Sequence, residues 1–349
     1  MGSYITANMR SKFQSFQEYM KPCLDKLLEP EVFGVRRSAE GKLIATGVRG
    51  KEIFGEMKNE IAIQAMNILA TMSGTIIADE KPFIEGEIPM FGHRFSGTIP
   101  GISQAATFTI RKKASKLITL EEMVTAEFNT IDSSAIPIIS SAIEEQKNIL
   151  VVGGPSSGKT TMTNAILKKI SELDPDSLIH TVERVRELIV SSWDHELWEL
   201  PPTMVNGKEH PVDIVKLVEL ALRRDPGRFI MGEIRNPDDA AGVLLFWNSG
   251  QPGGVATIHA DSASRGLIKV EQYINASRIM QANPDLIAST FNIIISIQNC
   301  EMKDEKGRKI GKRIEEILEV HGYIEETKRY HTTPLYTYAA NANHLPLNV

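Results

Sequence analysis

Cysteine is nearly absent from this 349-residue chain: Cys23 and Cys300 are the only two, and they lie far apart. Two distant thiols build neither a disulfide framework nor a thiolate zinc site, and a reducing, cytoplasmic setting is the expected one. Apolar runs long enough to span a bilayer are missing, as is a signal-type apolar segment. Any membrane association is therefore expected to be peripheral, through partners. Aromatic residues make up only 6%, and neither sign of charge dominates: 39 Lys and Arg against 44 Asp and Glu give a net charge of −5. That balance, without a clustered aromatic and basic groove, argues against a chain that coats or tracks nucleic acid, and direct nucleic-acid binding is not expected. Repeats and low-complexity tracts are also lacking. The length is enough for two domains with cores of their own.

What is present divides along the chain. Residues 9–30 read as a helix with Phe13, Phe16, Met20, Leu24 and Leu27 on its apolar face, and Glu60 to Ser73 as a second helix. Short strands are expected at Lys42–Thr46, Ile76–Ile77, His93–Thr98 and Ala106–Arg111, which makes a small α+β domain over residues 1–111. A basic, aperiodic stretch marks a linker over 112–118, and Thr119-Leu120-Glu121-Glu122 then has capping-box spacing. From 119 to 349 strands and helices alternate. Strands are expected at Asn148–Val152, Leu178–Val182, Arg228–Met231, Gly254–His259 and Phe291–Ile297; helices are expected at Ser134–Gln146, Thr161–Leu173, Val212–Arg223, Pro237–Phe246 and Ser262–Asn275. This order indicates a mostly parallel sheet covered by helices, an α/β fold. A terminal hairpin is expected over Met302–His321, centred on Lys306-Gly307-Arg308, and a loosely ordered polar tail from His331.

The most informative stretch is Gly153-Gly154-Pro155-Ser156-Ser157-Gly158-Lys159-Thr160, which fits the phosphate-binding pattern G-x-x-x-x-G-K-[ST] at every fixed position. A strand leads into it and a helix leaves it. In that setting the glycines let backbone N–H groups converge on phosphate oxygens, and the helix N-terminus adds partial positive charge. Lys159 is placed to reach the β- and γ-phosphates, and the Thr160 hydroxyl to complete a Mg²⁺ shell; Thr161 follows in the same first turn. The chain is expected to bind a nucleoside triphosphate, with ATP and Mg²⁺ as its cofactors.

Hydrolysis further needs a carboxylate near the phosphates, at the end of a neighbouring strand. Glu233 follows an apolar strand ending in Gly232, and Glu183 follows Leu178–Val182. Either can organise the metal or polarise the attacking water, and spacing alone does not separate the two roles. A Glu at a strand edge is more often a solvated acid, but two at the carboxyl ends of strands in one nucleotide-binding sheet weaken that reading. His259 closes a third strand, aimed at the same crevice.

Together these elements resemble the VirB11-type secretion ATPases, and most closely their TrbB branch, the motors of conjugative transfer. Asn148-Ile149-Leu150-Val151-Val152-Gly153-Gly154 runs into the phosphate loop as in that branch, and Phe246-Trp247-Asn248-Ser249-Gly250-Gln251-Pro252-Gly253-Gly254-Val255-Ala256-Thr257-Ile258-His259-Ala260 is similar to the family's histidine box. Met231-Gly232-Glu233-Ile234-Arg235 resembles its atypical Walker B, while Phe95–Pro100 and Phe108–Lys112 match the end of its N-terminal domain. The resemblance covers roughly residues 60 to 300. It implies a RecA-like P-loop NTPase domain preceded by a smaller α+β domain, in a hexameric, Mg²⁺-dependent ATPase ring. It also implies docking on inner-membrane components at the cytoplasmic face. The nucleotide would lie between the two domains, with Arg94 and Arg111 approaching it to neutralise phosphoryl charge. Arg235 would report nucleotide state across subunits.

Two departures stand out. The aspartate box, usually Thr-x-Glu-Asp, reads Thr181-Val182-Glu183-Arg184, and the histidine box begins Ser249-Gly250-Gln251 in place of Thr-Gly-His. Arg184 reverses a charge beside the site, and Gln251 removes a titratable ring. An ATP-driven motor for substrate transfer and pilus assembly is the leading expectation. The alternatives are a type II secretion or type IV pilus motor, against which the missing four-cysteine insertion counts, a non-hydrolysing assembly switch, and a nucleic-acid pump.

Overall fold

The computed structural model describes residues 7–338 apart from 30, 48–49, 114–116, 126–128, 202–203, 206–207, 225–226 and 300–310. The chain divides into two compact units, Met1–Ser115 and Lys116–Val349.

In the first unit, helix α1 (Ala7–Leu27) precedes strands β1 (Val32–Arg37), β2 (Lys42–Gly47) and β3 (Gly50–Glu56). Helix α2 (Asn59–Met72) is followed by β4 (Phe83–Ile88), β5 (His93–Thr98) and β6 (Thr107–Arg111). The six strands form one antiparallel sheet in the order β3-β2-β1-β6-β5-β4. Alternation assigns its faces. Val35, Leu43, Ile84, Phe95, Phe108 and Ile110 pack with Phe16, Met20, Met66 and Leu69 of the two helices, while Arg36, Ser96, Thr109 and Arg111 between them are exposed. Ile76–Ile77 forms no strand, contrary to expectation; the local pairing is a bridge between Ala78 and Lys81, and Ile76 stays 73% exposed. The unforeseen β1 ends in a buried Arg37, whose guanidinium donates to the carbonyls of Met57, Ser38 and Ala106. Those partners are mostly remote, so the strand's inward charge has no local signature.

The second unit begins with α3 (Leu120–Val124), α4 (Ala135–Glu144), β7 (Ile149–Val152), α5 (Lys159–Leu173), β8 (Ile179–Glu183) and β9 (His195–Glu199). The short pair β10 (Met204–Val205) and β11 (Lys208–Glu209) precedes α6 (Ile214–Leu222), β12 (Arg228–Ile234) and α7 (Pro237–Trp247). Then come β13 (Val255–Ile258), α8 (Ala263–Ala276), α9 (Pro284–Thr290), β14 (Ile293–Asn299), β15 (Lys312–Ile324) and β16 (Arg329–Thr337). The eight-stranded sheet runs β16-β15-β14-β7-β13-β12-β8-β9, parallel from β14 to β9, with β15 and β16 antiparallel at one side. The central strands are mostly apolar because both faces are covered. On β7, Ile149 and Val151 pack under Ile139 of α4 and Ile166 of α5, while Leu150 and Val152 point to the other core with Val243 of α7 and Leu267 of α8.

Two expectations for the C-terminal part change. Of the loose tail expected from His331, residues 331–337 lie in β16, because an edge strand tolerates polar composition and Pro334 while burying only Tyr336, and residues 339–349 lie outside the described residues. Of the hairpin expected over Met302–His321, the centre lies outside the described residues; β15 carries its second arm, and the strand it pairs with is β14.

Candidate active site

The phosphate loop leaves β7 at Val152 and enters α5 at Lys159. Its shape depends on two glycines. A Cβ on Gly153 would sit 2.1 Å from the Ile297 carbonyl oxygen, and Gly158 takes φ 103°, which L side chains avoid. Ser156 also has positive φ, at 58°, and the buried Ser157 Oγ has no hydrogen-bond partner. A concave run of N–H groups at a helix start, with an unused buried hydroxyl beneath it, fits a phosphate group.

Lys159 is buried, and its Nζ donates to the carbonyls of Gly153 (3.0 Å) and Gly154 (2.9 Å) and stands 3.2 Å from His259 Nδ1. On its other side His259 Nε2 lies 2.7 Å from Glu233 Oε1, and Arg235 Nε donates to Glu233 Oε2 at 2.5 Å. Four of the sequence-predicted residues, from the start of α5 and the ends of β12 and β13, therefore form one continuous chain. The partners dictate the histidine tautomer: Nε2–H donates to the carboxylate and Nδ1 accepts from the ammonium. Burial and then the Lys159 charge hold the His259 pKa below 6.5, against the pull of Glu233. Burial pushes Glu233 up, but Arg235, His259 and Lys159 together outweigh it and hold its carboxyl below the ordinary value. Glu233 reaches this place because β12 shifts register against β13 between Met231 and Ile234, while Thr257 Oγ1 ties the Gly232 carbonyl at 2.7 Å.

Glu183 is placed differently. It is 6% exposed, and its Oε1 accepts the backbone N–H groups of Glu187 and Leu188, both at 3.0 Å. This fixes the loop after β8. The loop carries Glu187, which sequence reasoning missed: its Oε2 accepts from the Thr160 hydroxyl at 3.2 Å. Asn164 of α5 holds the same loop through the Glu187 carbonyl and the Ile189 N–H. Gln298 was missed as well; it accepts from Gly154 N at 3.4 Å and donates to the Asp261 carbonyl. Lys312 lies over the loop, its Cδ 2.9 Å from where a Cβ on Gly158 would be. None of the three belongs to a local motif. Arg184, the charge-reversed position, is paired with Asp239 at 2.8 Å. Thr161 and Pro155 stay in the loop and first turn as expected, and the Pro155 carbonyl accepts from Asn299.

Arg94 and Arg111 belong to the first unit, where they lie directly opposite each other in the β5–β6 register. Glu87 on β4 is next in that row. Like charges directly opposite destabilise a strand pair, and the acid next in the row works against that.

The type II/IV secretion system protein family matches residues 90–332. The conjugal transfer protein TrbB of Rhizobium radiobacter is 37% identical over 246 residues, 70% of each chain. A probable conjugal transfer protein TrbB of Sinorhizobium fredii is 32% identical over 297 residues, 84% of this chain and 85% of that one. In fold, the chain is similar to the X-ray structure of the Yersinia pseudotuberculosis ATPase DotB, with a TM-score of 0.59, 16% identity, and coverage of 86% of this chain and 78% of that one.

Proposed function

The chain belongs to the type II/IV secretion system protein family, and from that premise we propose that it is an ATP hydrolase whose hexameric ring powers substrate transfer and pilus assembly in a type IV secretion or conjugation machine. The observation that carries the reading is the connected series Lys159–His259–Glu233–Arg235, which joins the phosphate loop to an ionised carboxylate.

In this reading the N–H groups of the loop from Gly153 to Thr160, all but the one Pro155 lacks, hold the phosphates, with Thr161 and Arg235 completing the nucleotide set. Lys159 exchanges carbonyl acceptors for phosphate oxygens. Glu233, kept charged by its neighbours, takes the proton of the attacking water. His259 and Arg235, one on each oxygen, fix the direction of its free lone pairs. Glu183 shapes the loop that brings Glu187 to Thr160. Magnesium needs few protein ligands, because it keeps water and takes phosphate oxygens. The Thr160 hydroxyl, with Glu187, Glu183 and Glu233 as outer acids, suits it; when bound, the ion would neutralise charge on the β- and γ-phosphates. Arg94 and Arg111 are the guanidinium pair assigned to the growing phosphoryl charge. Among the described residues no helix is long and apolar enough to cross a membrane. Peripheral docking on inner-membrane components at the cytoplasmic face is part of the same proposal.

The test is Mg²⁺-dependent ATP turnover by purified protein, at concentrations that support a ring, beside Lys159→Ala and Glu233→Gln. Both substitutions are expected to lower turnover by at least about 100-fold, Glu233→Gln with nucleotide binding retained. Turnover unchanged in Glu233→Gln would overturn the assignment of the base. Binding without turnover in the unaltered chain would instead favour an assembly switch.

A further inference from the structure

Where the family pattern has an acid, this chain has Arg184, and its partner is unusual. Asp239 sits in the first turn of α7 and is 1% exposed. Its Oδ1 accepts from Arg184 Nη2 at 2.8 Å, its Oδ2 accepts from the Arg235 backbone N–H at 3.1 Å, and its own N–H donates to the Asn236 cap. The Arg235 side chain in turn holds Glu233. A bonded path thus runs from Arg184 through Asp239 and Arg235 to the carboxylate, joining two of the sequence motifs through Asp239, which belongs to neither. Burial pushes the Asp239 carboxyl up, and the Arg184 charge works against it. Without that guanidinium a protonated Asp239 would turn one of its two acceptor oxygens into a donor.

We propose that Arg184 is a positioning residue: it holds Asp239 as a two-sided acceptor, so that Arg235 is anchored at its backbone and Glu233 is aimed. The inference rests on the reading of Glu233 as the reacting carboxylate, and it explains how a reversed charge is accommodated beside the site. The hydrogen bond of Arg184 goes to Asp239, one step removed from Arg235 and two from Glu233.

The experiment compares Arg184→Ala, Arg184→Lys, Asp239→Asn and Arg184→Ala with Asp239→Asn combined, in the full chain. It measures kcat, the KM for ATP, and amide hydrogen exchange over residues 232–240. Expected for Arg184→Ala are a loss of about tenfold or more in kcat, a KM within about twofold of the starting value, and faster exchange at the Arg235 amide. Arg184→Lys is expected to restore most of the rate, and the combined variant to lose no more than Asp239→Asn alone. The proposal is overturned if kcat holds in Arg184→Ala, if only KM rises, or if the two losses multiply. The exchange arm needs no turnover. Unaltered protein that hydrolyses nothing would sink the functional reading, whereas an Arg235 amide protected equally with and without Arg184 would sink this one.

Discussion

Glu233 and His180 are both acid–base groups beside the parallel sheet, yet their surroundings push them to opposite uses. Glu233 has the Arg235 guanidinium on one oxygen and the Lys159 ammonium beyond His259, and its pKa stays below the ordinary value. His180, in the middle of β8, is fully buried beside Trp198, with ring centroids 5.1 Å apart, and Glu196 is 3.8 Å from its Nδ1. Burial holds its pKa below 6.5 despite Glu196. The folded chain therefore keeps His180 neutral where the unfolded chain takes up a proton. The stability this group contributes is present above 6.5 and is lost as pH falls through the lower, folded pKa. Urea midpoints are expected to fall from pH 7 towards pH 5 (roughly the window below the free-histidine pKa), with a shallower slope in His180→Leu. Identical slopes would show that other groups govern the acid limb.

At the scale of elements, one side chain staples three strands. Asn148, just before β7, accepts from Gly254 N at the start of β13 and donates to the Thr290 carbonyl before β14, both at 2.9 Å. Its backbone N–H also donates to Asn292 Oδ1. These bonds fix the relative heights of β7, β13 and β14, and hence where the phosphate loop, His259 and Gln298 emerge. Asn148→Ala leaves a buried N–H and a buried carbonyl without partners. It should destabilise the second unit by about 2 kcal/mol or more, read from chemical unfolding, and should weaken nucleotide binding along with it. An unfolding midpoint equal to the parent's would mean that neighbouring groups re-satisfy both.

For the whole molecule, the two units have separate cores, and the core of the first contains no residue of the second. Each is expected to unfold in its own transition. Phe95 is 1% exposed and stacks on Phe108 at 5.5 Å. Phe95→Ala should cost the first unit about 3–5 kcal/mol and leave the second transition where it was, as calorimetry would show. Parallel movement of both transitions would mean that the units melt as one.

The sequence by itself determined the periodic and contiguous features. The phosphate loop between strand and helix, the apolar central strands and the strand-end acids are all written over a few neighbouring residues. So is the membership of Glu233, His259 and Lys159 in one crevice, because strand ends in a parallel sheet meet there. Tertiary structure alone decided what each acid faces. Glu183 and Glu233 follow similar apolar runs, but one meets backbone N–H groups of its own loop and the other meets His259 and Arg235. Glu187 reaches Thr160, and Arg184 reaches Asp239, across 27 and 55 residues of chain. Hydrogen bonds of that span follow from how loops are held over a finished sheet, and no local pattern of residues encodes them.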